Sequence, residues 1–387
     1  MQPSFSDMNP SEFKPNCPGK LKKSPEGAWA YVPDPLPPRL EASWDLYGSL
    51  SAADRALSEL AGVAGNLPNP HLLINPFMRR EAVLSSRIEG TQSSYGDLIA
   101  FEAAGNVPSA GSADVSEVVN YVHALEHGLR RLDDLPISLR LIQEVHAVLM
   151  KGVRGETKTP GEFRRQQNWI GGADPSTARF VPPPVPEMLA ALDAMEKYLH
   201  ADPLNLPPLL RLALVHYQFE AIHPFLDGNG RVGRLLITLT LCAEKILPAP
   251  LLYLSAFFER EKATYADLML RVSQEGEWDG WIRFFLRGVT EQSNDGVQRS
   301  KRVLELRESY RKILQAERAS GNVLSLLDRL VYAPTTTARG ASAQLGVSFQ
   351  GAQLIIDKLV GAGILVEMPG TRPRTYVAKE VVRIFGE

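Results

Sequence analysis

The chain has 387 residues, 44% of them hydrophobic, and its 42 basic and 44 acidic side chains leave a formal charge of −2. That describes an ordinary globular chain long enough for two or three domains, without the global basic excess that sequence-independent nucleic-acid binding needs. Cys17 and Cys242 are the only cysteines, Met1 to Ser4 begin no basic start with an apolar core, and the longest apolar run, Leu235 to Ala243, is far too short to span a bilayer, so neither a disulfide framework nor a membrane partner is expected and the expected location is cytoplasmic.

Taken in chain order, residues 1–45 are proline-rich, with Pro33, Pro35, Pro37 and Pro38 close together, and predict an extended arm. Residues 46–110 predict helices starting near Ser51. One runs from Asn75 to Glu89, with Asn75 as N-cap, Pro76 at the first helical position and Gly90 as the stop. Ser85 and Glu89 stand four apart and share a face of it. A glutamate there lies at the wrong end of the helix dipole, and on residues alone it reads as an ordinary surface side chain.

Residues 111–295 predict one helical unit. Asp114 and Glu117 look like a capping pair ahead of Val118–Leu132, and further helices fit Ser138–Val153, Pro186–Leu199, Leu209–Ile222, Arg231–Leu247 and Asp279–Val289. The exception is Asn168-Trp169-Ile170, Gly171-Gly172 and Arg179-Phe180-Val181, which predict a short hairpin. A linker helix, Gln298 to Arg318, occupies 296–320. In 321–387, Ala338–Leu345, a turn at Gly346, Ser348–Ala362 and a hairpin from Ile364 to Val377 predict a winged helix standing apart from the rest. Its second helix carries only Lys358, beside Asp357, and the wing adds Arg372 and Arg374, so DNA binding, dimerisation and protein docking all stay open.

Most of the chemistry is packed into His223-Pro224-Phe225-Leu226-Asp227-Gly228-Asn229-Gly230-Arg231-Val232-Gly233-Arg234. Pro224 stops one buried helix and Val232 opens the apolar run of the next. A histidine titrates near neutrality and can take a proton from a hydroxyl. Asp227 offers oxygen ligands that suit Mg²⁺. Gly228 and Gly230 let the backbone come close to a ligand, and the amides at the helix start form an anion nest. Arg231 and Arg234, one turn apart, can fork phosphate oxygens. Gly228, Gly230 and Gly233 also match the dinucleotide fingerprint, but that motif needs a preceding strand and this one follows a helix.

The stretch resembles the Fic family signature, His-x-Phe-x-(Asp/Glu)-Gly-Asn-Gly-Arg-x-x-Arg, at every defined position. The resemblance implies a mainly α fold: an all-helical catalytic domain with a short β-hairpin flap at 168–181, followed here by the winged helix. It also implies transfer of AMP from ATP to a hydroxyl of a target protein. By position, His223 resembles the base and Asp227 the magnesium ligand. Asn229, with the backbone of Gly228, Gly230, Val232 and Gly233, resembles the phosphate cradle and, with His223, the catalytic pair. Arg231 and Arg234 resemble the triphosphate clamp, and the intact Gly230 favours nucleotidyl over phosphoryl transfer. Ser85 to Glu89-Gly90 match the family's inhibitory helix, (Ser/Thr)-x-x-x-Glu-(Gly/Asn), whose glutamate would pair with Arg234. Tyr265 resembles a residue beside the adenine. The implied partners are ATP, a target bearing a Ser, Thr or Tyr hydroxyl, the chain itself as target, and a second copy in a homodimer. Other readings stay open: a DNA-binding regulator that senses nucleotide, transfer from another donor such as CDP-choline or UTP, and removal of AMP.

Overall fold

Helices dominate the computed structural model, which describes residues 8–25, 27–65, 71–103, 112–172, 177–201 and 206–386. It begins with an antiparallel hairpin, β1 (Gly19–Lys23) and β2 (Trp29–Pro33), with Leu21 opposite Tyr31. This corrects the expectation of a wholly extended arm. Between Gly19 and Val32 the sequence has a single proline, Pro25 at the turn, so the strand N–H groups are free to pair. Tyr31 is fully buried and its N–H donates to the Val181 carbonyl at 2.9 Å, which ties the hairpin to the helical body.

Next come α1 (Trp44–Gly65), α2 (His71–Ile88), α3 (Tyr95–Ala103), α4 (Ser112–Arg131), α5 (Leu139–Leu149) and α6 (Val185–His200). Then follow α7 (Pro208–Ile222), α8 (Asn229–Ala243), α9 (Ser255–Arg260), α10 (Lys262–Glu275) and α11 (Trp278–Ala316). Nearly every side chain of α7 is buried, as expected of a helix apolar all round and therefore central. It packs against α6, α8 and α11, and the Trp281 indole on α11 donates to its Ala213 carbonyl at 3.0 Å. Among the described residues no helix is long and apolar enough to cross a membrane.

Two helix boundaries differ from expectation. Helix α2 starts at His71, with Pro76 inside it rather than at its first position. The proline removes one early hydrogen bond, which burial of Phe77, Met78, Ala82 and Val83 outweighs. Helix α11 runs unbroken for 39 residues where two helices were expected. Its Gly288 and Gly296 are packing positions, since a Cβ there would lie 2.7 Å from Phe257 and 3.0 Å from Leu60. The expected divisions at 45/46 and 295/296 therefore fall inside α1 and α11, and that at 110/111 lies outside the described residues. Of the expected hairpin at 168–181, one antiparallel bridge joins Ile170 to Phe180, and residues 173–176 lie outside the described residues.

The last elements are α12 (Gly321–Tyr332), β3 (Thr335–Thr337), α13 (Ala338–Leu345), α14 (Phe349–Gly361), β4 (Val366–Glu367), β5 (Thr375–Val377) and α15 (Lys379–Gly386). The strands form one antiparallel sheet in the order β3-β5-β4, and Gly346, at φ 65°, turns the chain between α13 and α14. These elements do not stand apart from the rest. Helices α12 and α15 pack on α2, with Phe385 edge-on to Phe77 at 5.1 Å between centroids.

Candidate active site

Helix α7 ends because His223 takes a left-handed conformation, φ 49° and ψ 62°, which turns the chain into the loop before α8. A non-glycine residue holds that geometry only when its surroundings impose it. Arg164 Nε and Asn168 Nδ2 both donate to the His223 carbonyl, at 3.0 and 3.1 Å. Inside the loop, the Asn229 side chain accepts from Phe225 N–H and donates to the Phe225 carbonyl, both at 2.8 Å. His146 completes the frame. Its Nδ1 accepts from Gly161 N–H at 2.8 Å, so Nε2 carries the proton and donates to the Asp227 carbonyl at 3.0 Å. The ring stacks on Phe225, and burial lowers its pKa to about 4, which keeps it neutral. Gly228, at φ 80°, then opens α8.

Three polar side chains of the motif have distinct surroundings. His223 Nδ1 lies 3.2 Å from the Glu220 carbonyl, which can only accept, so the proton sits on Nδ1 and Nε2 keeps its lone pair. Burial, opposed by the hydrogen bond to the Glu220 carbonyl and aided by the nearby Arg164, lowers the imidazole to about 4. Asp227 is partly exposed, and its Oδ1 accepts from Gly228 N–H at 2.6 Å. Arg231 is 1% exposed and lies between Glu117 Oε2, at 2.9 Å, and Asp227 Oδ1, at 3.5 Å. It does not line the cavity described below, and its reach is to Asp227 rather than into open space.

Arg234 is held from α2. Its Nε donates to Ser85 Oγ at 2.8 Å, and Nη2 donates to the Ser85 carbonyl at 3.0 Å and to Glu89 Oε1 at 2.6 Å. Burial would raise the Glu89 carboxyl, but Arg234, with Arg231 and His223, outweighs it and holds the group below its usual range. The carboxylate fits only because residue 230 is glycine, since a Cβ there would come within 2.4 Å of Glu89 Oε1. Two turns before Glu89 on the same helix, buried Glu81 accepts from Tyr121 Oη at 3.1 Å and Ser255 Oγ at 2.5 Å, fastening α2 to α4 and α9. Lys262 Nζ donates to the Ile88 carbonyl at the end of α2.

A cavity of about 470 Å³ opens at these groups, lined by Glu89, His223, Gly230 and Arg234 together with Ile170, Phe180, Tyr265 and Met269. Tyr265 forms wall: it is 6% exposed, its ring stacks on Phe258, and its hydroxyl donates to His216 Nε2 at 2.7 Å. Val232 is buried, with its N–H bonded to the Gly228 carbonyl, and the Gly233 carbonyl accepts from His216 Nδ1 at 3.2 Å. A base with a free lone pair, the first-turn glycine Gly230 of α8 and a guanidinium thus meet at one cavity, the parts that transfer at a phosphorus centre requires. Glu81, His146, Arg164 and Glu220 escaped the sequence reading, and Glu117 was read there only as a cap. Only Glu220, three residues before His223, carried a positional signal.

Residues 47–130 match the Fic/DOC family N-terminal segment and residues 136–241 match the Fic/DOC family itself. The protein adenylyltransferase Fic of Drosophila mojavensis is 28% identical over 208 residues, 54% of this chain and 38% of that protein. Its counterpart in Drosophila virilis is 30% identical over 162 residues, 42% of this chain and 30% of that protein. The match thus spans less than half the length of these curated relatives. Among solved structures, a Fic family protein from Desulfovibrio desulfuricans G20 superposes with a TM-score of 0.57 at 17% identity, covering 89% of this chain and 98% of that one. Fic-1 from C. elegans gives 0.52 at 22% identity, covering 67% and 74%. At such identities the likeness is one of fold. With the His223–Arg234 signature inside the matched segment, the chain is a Fic-family protein.

Proposed function

We propose that this protein transfers AMP from ATP to a hydroxyl side chain of a target protein or of itself, and that Glu89 restrains it. The observation that carries the reading is the Glu89–Arg234 contact at 2.6 Å, at the rim of the cavity that holds His223. His223 Nε2 takes the proton of the acceptor hydroxyl as its oxygen attacks the α-phosphorus, and pyrophosphate leaves. Neutral at cellular pH, the imidazole is ready to accept that proton. The N–H groups at the start of α8 face developing phosphate charge, and Arg234, once released by Glu89, neutralises the outer phosphates.

Asp227 suits Mg²⁺. Among the described residues no three His, Cys, Asp or Glu side chains gather as a metal cluster, so a cation here relies on one carboxylate together with phosphate oxygens, the usual arrangement for that ion. The metal, when bound, neutralises phosphate charge, while Arg231 and Gly228 N–H fix the direction of the carboxylate. Tyr265 and Met269 offer a flat apolar wall for the base.

The C-terminal elements read as a winged helix used for protein docking. Phe349 and Leu354 on α14 are 59% and 71% exposed, whereas Lys358 is engaged by the Glu317 carbonyl and Arg374 by Glu367. Incubation of the purified chain with ATP labelled at the α-phosphate, with and without Mg²⁺, tests the activity. Incorporation of an AMP mass is expected. Release of a free γ-phosphate with no adduct would overturn it.

A further inference from the structure

The carboxyl of Glu220 has no part in the scheme above, yet it faces the same cavity. It stands on the last turn of α7, three residues before His223. Its Oε1 is shut off from solvent and has no hydrogen-bond partner among the described residues. The space for that oxygen exists because residue 233 is glycine: a Cβ there would lie 2.3 Å from Glu220 Oε1. Burial pushes the carboxyl up to about 7, with Arg234 opposing and Glu89 adding to the rise. A buried acceptor without a donor is costly, and in a cavity wall it points to a donor on a ligand.

Resting on the adenylyltransferase reading, we infer that Glu220 is a specificity-determining residue that accepts a hydrogen bond from an N–H or O–H group of the bound nucleoside. Above pH 7 the carboxyl is ionised and accepts only, and phosphate oxygens are also acceptors, so the part of ATP beside Glu220 there is not the phosphate chain. The donors a nucleoside offers are its ribose hydroxyls and the exocyclic amine of its base. Ala266, Met269 and Leu270 line the same cavity and offer apolar surface that suits the rest of the nucleoside. A site built to accept from such a donor discriminates strongly against an analogue that lacks it, because the buried acceptor is then left unpaired.

The test measures dissociation constants by calorimetry for the full chain and for Glu220→Ala and Glu220→Gln. The probes are ATP, 2′-deoxyATP, 3′-deoxyATP and purine riboside triphosphate, which lacks the 6-amino group. The wild type should bind one analogue at least about tenfold more weakly than ATP, and that analogue identifies the donor as a ribose hydroxyl or the amine. Glu220→Ala should bring the ratio to within about twofold by weakening ATP alone, and Glu220→Gln, which keeps an acceptor oxygen, should give an intermediate ratio. If Glu220→Ala does not fold, a ratio in Glu220→Gln equal to that of the wild type overturns the inference. So does a ratio unchanged in Glu220→Ala, or equal weakening of all four nucleotides, while ATP binding and AMP transfer persist in the wild type. Failure of the wild type to bind any of the four overturns both this inference and the adenylyltransferase reading.

Discussion

Glu89 and Arg234 are 145 positions apart in the chain, yet their side chains meet at 2.6 Å, with the guanidinium 2% exposed and the carboxylate 35% exposed. Ser85 takes two further donors of the same guanidinium, so α2 occupies Arg234 on three counts. Replacing Glu89 with Gly should therefore raise the initial rate of AMP incorporation. A competing contact of about 1–3 kcal/mol corresponds to roughly 5- to 150-fold. Adding Arg234→Ala should abolish the gain, and an unchanged or lower rate in the single variant removes Glu89 as a restraint.

His223→Ala should cut transfer by about two to four orders of magnitude while ATP binding stays near normal, because the base acts on the acceptor hydroxyl. The pH profile is equally diagnostic. The base works when neutral, and burial sets its pKa at about 4, so activity is lost only as pH falls through that value. In the Glu220→Gln variant, which removes the cavity carboxyl held at about 7, kcat/KM should stay flat between about pH 6 and 8. An acid limb centred near the ordinary histidine value of about 6.5 would contradict the buried, neutral assignment.

The stability of the chain should fall on mild acidification. His146 and His223 are held at about 4 and His216 at about 3, all by burial, so each contributes stability that is present above about 6.5 and lost as pH drops through the folded values. Glu220, raised to about 7, works the other way: its contribution is present at low pH and lost as pH rises through 7. Three histidines outweigh one carboxyl. The urea midpoint should therefore be lower at pH 5 than at pH 7, and a higher midpoint at pH 5 would show that these imidazoles are not buried neutral.

Packing of α12 and α15 on α2 connects the C-terminal elements to the restraint on Arg234. Phe385, which touches both Phe77 and Tyr95, is the place to test this. Phe385→Ala loosens the back of α2 and should raise AMP incorporation by roughly two- to tenfold, since truncating a buried phenylalanine typically costs about 3–5 kcal/mol locally. In the Glu89→Gly background the same change should add nothing. A gain that persists there would mean the effect bypasses Glu89.

Much of the site was legible in the chain because its chemistry is local. The twelve residues from His223 to Arg234 lie on one helix end, one loop and one helix start, and a proline, two glycines and the apolar runs on either side set that geometry without distant help. The spacing of Ser85 and Glu89 likewise put them on one helical face, because the α-helical period of 3.6 residues alone decides that. Tertiary structure decided which residues those side chains meet. Glu117 looked like a cap and instead holds Arg231 from 114 positions away, Glu81 binds Tyr121 and Ser255, and Glu220 finds its space against Gly233 on the neighbouring helix. Periodicity says which face of a helix is buried, but not against which helix, at what crossing angle or how closely the backbones approach. The same holds for Gly288 and Gly296, which admit neighbouring side chains within an unbroken α11, and for Phe385, which reaches α2 only through the packing of the whole chain.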